Sequence, residues 1–196
     1  MRALVGNCSV ITVGDGDDRS GLVVTSAISL SADPAMLLAC VNRGSSSWPL
    51  LDKYQRLGWS SLGADHQKVA ENFSGFGGVK GADRYAGAQW ESAETGALLL
   101  KGAPAAFDCE VEELIDRGTH SIVIGRVRAI RTTANAGALI YWNAFCGLSS
   151  AATDQCQSSQ PGVISGSGIA SRRSRVYCAS GATNNASVFE FSTISP

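Results

Sequence analysis

Apolar residues in this chain come in short runs, and Gly, Asp, Ser or Pro closes nearly every one. "CSVITV" (Cys8–Val13) runs into "GDGDD"; "SGLVVTSAIS" (20–29) follows, and Asp33-Pro34 turns the chain into "PAMLLACVN" (Pro34–Asn42). Runs this short, punctuated by turn residues, read as strands rather than as core helices. Further on, "APAAFDCEVEELIDRG" (103–118) and "THSIVIGRVRAIRTT" (119–133) read as two long strands joined at Asp116-Arg117-Gly118, and "GALIYWNAF" (Gly137–Phe145) as one more. The clearest helical signal is "ADHQKVAENFSG", where Asp65 is placed as N-cap and Val69, Ala70 and Phe73 fall on one face. Six or seven strands around a single central helix imply a mainly β protein, an antiparallel barrel. The regular strand–helix alternation of a Rossmann sheet is absent.

From Gly147 onward the chain changes character, with 12 serines and five charged residues up to Pro196. This gives a folded domain over residues 1–146 and a Ser-rich tail over 147–196. Within the tail, "SRVYCAS" and "SVFEFS" read as a small hairpin about Asn184-Asn185. Net charge is −1, so no basic surface points to nucleic acid. No apolar run approaches the ~20 residues of a membrane span, and the N-terminus lacks a charged region followed by an apolar one. A cytoplasmic location is expected. Six cysteines, at 8, 40, 109, 146, 156 and 178, form no C-x-x-C pair, and no metal site is expected. Cys8, Cys40 and Cys109 lie in apolar segments, where a free thiol packs as a small hydrophobe.

Three polar sets interrupt this pattern. After the buried-looking "PAMLLACV" come Asn42, Arg43, Gly44, Ser45, Ser46 and Ser47 before Trp48-Pro49. Clustered N–H and O–H donors with one cation and little side-chain bulk suit a phosphate; the same residues also make an ordinary solvated turn. Thr25, Ser26 and Ser29 break an apolar strand just upstream and are expected beside that loop at one end of the barrel. His120 opens a strand in "RGTHSIVIG" (117–125), either as a structural hydrogen-bonder or as a functional group. Glu110, Glu112, Glu113 and Asp116 read as the exposed edge of a strand. "GSGIAS" (166–171) and "GFGGVKG" (75–81) lack the context or spacing of nucleotide-binding loops, and no G-x-S-x-G or H-E-x-x-H appears.

In order, "SVITV", "TSAISLSADPAMLLACVNRGSSSWP", "HQKVAENFSG", "DRYAGAQW", "LLKGAPAAFDCEVEELIDRGTHSIVIGRVRAI" and "ALIYW" resemble the short-chain flavin reductases over roughly residues 2–143. These are FMN-binding split-barrel proteins that supply reduced flavin to two-component monooxygenases. The likeness is to the branch with the reductases of 4-hydroxyphenylacetate oxidation and pyrimidine degradation. It implies a Greek-key split barrel, hydride transfer from NADH or NADPH to FMN or FAD, an oxygenase partner and a homodimer. It assigns flavin-phosphate contacts to Asn42, Arg43, Ser45, Ser46 and Ser47, and other flavin contacts to Val23, Val24, Thr25, Ser26 and Phe73. Gly118, Thr119 and His120 match the family's glycine–acid–histidine motif beside the nicotinamide, with Thr in the acid's place. Two segments depart from the family pattern: "RLGWSSLGAD" (56–65) is more polar than the strand expected there, and Asn143–Cys146 replaces basic and aromatic residues. Reduction of another acceptor such as a corrinoid, and flavin carriage without turnover, are the alternatives.

Overall fold

β1 (Gly6–Asn7) leads into β2 (Ser9–Asp15), which folds back through a tight turn as β3 (Asp18–Val24), with Ser9 opposite Val24 and Asp15 opposite Asp18. In this computed structural model residues 4–134, 137–142, 145–148, 175–178 and 187–190 are described. The turn needs glycine: Gly14 has φ +92°, and a Cβ there would lie 2.1 Å from the Asp18 carbonyl oxygen. β2 is buried on both faces. Cys8 and Val10 join one apolar cluster, Ile11 and Val13 the other, which is why this run shows no polar alternation.

β4 (Ile28–Ala32) and β5 (Ala35–Asn42) follow, then α1 (Trp48–Tyr54), β6 (Arg56–Ser61), α2 (Gln67–Ser74), β7 (Trp90–Ser92), β8 (Leu98–Leu100), β9 (Ala105–Arg117), β10 (His120–Thr132), β11 (Leu139–Trp142) and β12 (Phe145–Leu148). Seven strands form one antiparallel sheet in the order β3-β2-β6-β9-β10-β5-β4. Its two end strands are consecutive in the chain, joined only by Thr25-Ser26-Ala27. In a flat sheet those ends would stand about 29 Å apart, six spacings of about 4.8 Å. Four Cα steps reach at most about 14 Å. The sheet must therefore curl until β3 approaches β4 and β5, and the barrel is left with a seam between them. β11 pairs with β1 and β12 in a separate small sheet, and β7 with β8 in another.

One cluster fills the barrel around Ile11, Val41, Leu51, Trp59 and Val123. A second lies under α2, where Val69, Ala70 and Phe73 are buried as the helical spacing predicts. There Phe73, Tyr85 and Trp90 pack ring on ring at 4.9 to 5.4 Å. Asp65 does not cap α2. It sits within a 3-10 turn, Ala64–His66, whose preceding Gly63 N–H donates to His66 Nδ1 at 3.0 Å. The single expected strand over residues 20–29 is broken after Val24, and α1 is a short helix in addition to the central one. The polar segment after Arg56 does form a strand: Ser60 is fully buried because its Oγ accepts the Leu100 N–H at 3.0 Å.

The chain divides into two compact units, Met1–Leu148 and Ser149–Pro196. In the second, β13 (Arg175–Cys178) pairs antiparallel with β14 (Ser187–Glu190), as the expected hairpin requires; its turn at Asn184-Asn185 lies outside the described residues. No helix among the described residues is long and apolar enough to cross a membrane.

Candidate functional site

The barrel seam is where the polar sets meet. Ser26, in the three-residue linker, accepts the Cys40 N–H at 3.1 Å and donates to the Cys40 carbonyl at 3.3 Å. One hydroxyl thus ties the β3 end of the sheet to β5 and explains the strand break at Thr25. Asn7 Nδ2 donates to Ala27 O from behind, and Gly6 lies so close to Thr25 that a Cβ would come within 2.8 Å of its carbonyl oxygen. Ser29 is not part of this arrangement; it is exposed on β4, opposite Leu37. Among the described residues no strand pairs with the outer side of β3, so backbone along Leu22–Val24 is left open at the seam.

Two residues beyond Cys40 the serine loop begins. Asn42 Oδ1 accepts the Gly44 N–H at 2.8 Å and its carbonyl accepts the Ser45 N–H at 3.0 Å, an Asx-type turn that shapes the loop and leaves Nδ2 available to donate. The Ser45 Oγ is buried without a hydrogen-bond partner. Such a hydroxyl is costly unless something else satisfies it, so the loop fits an oxyanion. Ser46 is exposed. Ser47 is buried, its Oγ 3.0 Å from that of Ser20 on β3, and it precedes α1, where Pro49 suits a first helical turn. At the far end of α1, Lys53 Nζ (2.8 Å) and Tyr54 OH (3.0 Å) both donate to Asp18 Oδ2. The helix is therefore held against β3 at both ends.

The third set arrives by strand pairing. β5 and β10 run antiparallel with Asn42 opposite His120. Gly118-Thr119 is a two-residue hairpin turn between β9 and β10, with Gly118 at φ +57°. The Arg43 N–H donates to the Thr119 carbonyl at 3.0 Å, Arg43 Nη1 to Asp116 Oδ2 at 2.9 Å, and Arg43 Nη2 to the Gly118 carbonyl at 2.5 Å. Ser121 Oγ donates to the other Asp116 oxygen. Thr119 Oγ1 lies 2.9 Å from His120 Nδ1, and the histidine is exposed. Arg43, expected beside a phosphate, is instead committed to this turn: it bridges the serine loop and the Gly118-Thr119-His120 motif.

The structure brings together Thr25, Ser26, Asn42, Arg43, Ser45–Ser47 and Gly118–His120. Val23 is half-buried with its side chain against the cluster under α2, and Val24 turns its side chain into the barrel core at 5% exposure. Phe73 is not brought there by its side chain. It is 1% exposed and packs with Tyr85 and Trp90. Asp116 and Ser20 are the residues the sequence did not single out. Asp116 looks like its neighbours Glu110 and Glu112, which form exposed pairs with Arg128 and Arg126 (2.8 Å for the latter); only the fold shows that it faces Arg43. Asn143 and Ala144, in the segment that departs from the family pattern, lie outside the described residues.

Comparison with known proteins agrees with this geometry. The flavin reductase like domain family matches residues 1–149. The FMN reductase (NADH) RutF 2 of Methylorubrum extorquens is 36% identical over 141 residues, 72% of this chain and 81% of that one. Its counterpart of the same name in Rhizobium rhizogenes is 34% identical over 143 residues, 73% and 82%. Among solved structures, BorF, the flavin reductase component of a bacterial two-component tryptophan halogenase, superposes with TM-score 0.67 at 29% identity, covering 74% of this chain and 91% of its own. The NADH:FAD oxidoreductase SgcE6 of Streptomyces globisporus gives TM-score 0.67 at 26% identity, 74% and 86%. A split barrel with a serine loop and a Gly-Thr-His turn at its seam, matched over three quarters of its length, places this chain in the flavin reductase like domain family.

Proposed function

We propose that the chain is an NADH-dependent flavin reductase that reduces FMN and releases it to a separate oxygenase. The observation that carries this reading is the pairing of Asn42 with His120, which sets the donor-rich loop beside the histidine turn. Asn42 and Ser45–Ser47 hold the flavin phosphate, with the unpartnered Ser45 hydroxyl as the group an incoming oxyanion satisfies. The open edge of β3 at Val23 and Val24, with Thr25 and Ser26, lies along the ring system. Arg43 is a positioning residue that sets the loop and the turn in register.

The flavin, when bound, is the two-electron acceptor for NADH. The chain's own part is to hold the two ligands in contact and fix their orientation. Thr119 Oγ1 holds the His120 ring at Nδ1, 2.9 Å away, and in the tautomer where the hydroxyl is the donor Nε2 carries the proton and donates to the nicotinamide side. Arg126 is paired with Glu112 at 2.8 Å, and Arg117 Nη1 donates to the Asp116 carbonyl at 2.7 Å. The pairing of Arg126 with a carboxylate supports NADH over NADPH. Ile28 and Leu30 on the outer strand β4 are 55% and 44% exposed, and an apolar edge of this kind supports a homodimer. Dependence on NADH and on an oxygenase supports a cytoplasmic location.

NADH oxidation by the purified chain, followed by nicotinamide absorbance while FMN is titrated from none to excess, tests the reading. Saturable, flavin-dependent oxidation is the expected result. FMN binding without oxidation would overturn it in favour of a carrier.

A further inference from the structure

Away from the serine loop, a cavity of about 340 Å³ opens between the β2–β3 turn and the β7–β8 hairpin. Two guanidinium groups line it. Arg56 is fixed: Nη2 donates to Asp15 Oδ2 at 2.9 Å, Nη1 donates to the Thr95 carbonyl, and its Cζ lies 5.7 Å from the Tyr54 ring centre. Arg19 is stacked on the Tyr85 ring, Cζ 4.9 Å from its centre, and forms no ion pair among the described residues. The Nε of both arginines is buried without an acceptor. Tyr85 cannot take the charge, since its OH donates to the Ser20 carbonyl and burial raises its pKa well above the ordinary tyrosine value.

The lining is rich in donors and poor in acceptors. Asp15 is its single carboxylate and is already paired with Arg56, so the cavity carries a net positive charge from Arg19. Gly14, Gly16 and Gly96, all at positive φ, contribute wall that bears no side chain, and at Gly16 that wall faces open space. Ser92 adds a hydroxyl. A half-buried guanidinium without a counter-charge is costly, and an anion removes that cost. Arg19 and Ser20 are adjacent on β3, so their side chains project to opposite faces. Ser20 turns toward Ser47 at the serine loop, Arg19 toward this cavity. The two places are separated by the thickness of the strand.

We propose that this cavity binds a phosphate monoester of mononucleotide size or smaller, with Arg19 as its principal cationic ligand, at the same time as the serine loop holds its own ligand. Ligand pockets run from about 300 to 1,000 Å³; this one stands at the small end, with room for a phosphorylated nucleoside and none for a whole dinucleotide. The guanidinium fork matches a phosphate's paired oxygens.

The test is calorimetric titration of AMP into the full chain at low salt, with and without saturating FMN. Binding of one AMP per chain under both conditions is expected, weakened at least tenfold by Arg19→Met. Because Arg19 packs on Tyr85, a second variant is read beside it: Asp15→Asn removes an exposed carboxylate from the cavity and should tighten AMP several-fold. No binding at millimolar AMP, AMP that competes with FMN, or an affinity unmoved by both variants would overturn the proposal. Inorganic phosphate that displaces AMP supports a site centred on phosphate and names the free anion as an occupant. Failure of inorganic phosphate to displace AMP at any concentration would overturn such a site.

Discussion

Replacing Arg43 by Met separates two roles for this residue. Its guanidinium makes two links, to Asp116 at 2.9 Å and to the Gly118 carbonyl at 2.5 Å, while the backbone link to Thr119 is untouched by the substitution. The ion pair is exposed, 38% and 56% for the two side chains, so it contributes at most about 1 kcal/mol to stability. The fold should survive with little change in denaturation midpoint. The turn carrying His120 loses its side-chain brace, however, and a displacement of about 1 Å at a reacting centre can cost ~100-fold in rate. Hydride transfer from NADH at saturating FMN should slow by roughly 10- to 100-fold, about 1.4 to 2.7 kcal/mol of barrier. FMN affinity should move less than twofold. Anaerobic stopped-flow reduction gives the rate, and flavin fluorescence quenching gives the affinity. Asp116→Asn, which removes the carboxylate from Arg43 and touches no phosphate in this reading, should reproduce the rate defect, and the double variant should be little worse than either single one. If Arg43 were instead a phosphate ligand, its loss would remove a charge-assisted bond of about 1.5–3 kcal/mol. FMN would then weaken more than tenfold at an unchanged rate constant. That result would refute the bracing argument.

Four other outcomes are expected. His120→Ala should slow reduction by NADH or raise its KM at least tenfold while FMN affinity holds, and Thr119→Val should do the same to a smaller degree; parallel loss of FMN binding would make His120 structural. Ser45, Ser46 and Ser47 changed together to Ala should weaken FMN far more than riboflavin, which lacks the phosphate, and equal effects in a binding titration would dismiss the loop as a phosphate site. Phe73→Ala should cost about 3–5 kcal/mol in denaturant unfolding with FMN affinity of the folded fraction retained, since its ring is in the core rather than at the seam. Burial lowers the His66 pKa, against a smaller upward pull from Asp65, and Nδ1 must stay unprotonated to accept from Gly63. The unfolded chain takes up that proton near pH 6.5 and the folded chain resists it. Stability is therefore full above about pH 6.5 and falls as the pH drops below it. The melting temperature measured from pH 7.5 to 5 should decline less steeply in His66→Asn, and an identical slope would remove His66 from the account.

Much of the barrel could be read from the chain. β2, β5, β9 and β10 follow apolar runs whose ends are marked by Gly, Asp or Asn, and the buried face of α2 follows from its spacing. Other features depended on distant partners. Thr25 and Ser26 look like tolerable strand residues until Cys40 arrives to share the Ser26 hydroxyl, so the break between β3 and β4 has no local sign. Ser60 would suit a loop, and becomes a strand residue because Leu100 supplies a donor 40 residues away. α1 is seven residues long, about two turns, too few for an apolar stripe to repeat visibly, with only Ser47 and Pro49 to mark its start. The serine loop and the histidine turn were each ambiguous alone. Their pairing on neighbouring strands sets them side by side, which neither segment shows by itself. The bond from Arg43 to Asp116 has no local sign either, since the carboxylate lies 73 residues further along the chain.

The three-residue tether between β3 and β4 has a further consequence. It keeps the two borders of the sheet near each other yet prevents them from zipping into one continuous ladder, so the fold carries a permanent slot whose walls are peptide groups. A slot of this kind is specified by the path of the chain more than by its side chains. Proteins that share about a third or fewer of their residues with this one can preserve it, provided that the tether stays short and a small hydroxyl holds it to the neighbouring strand.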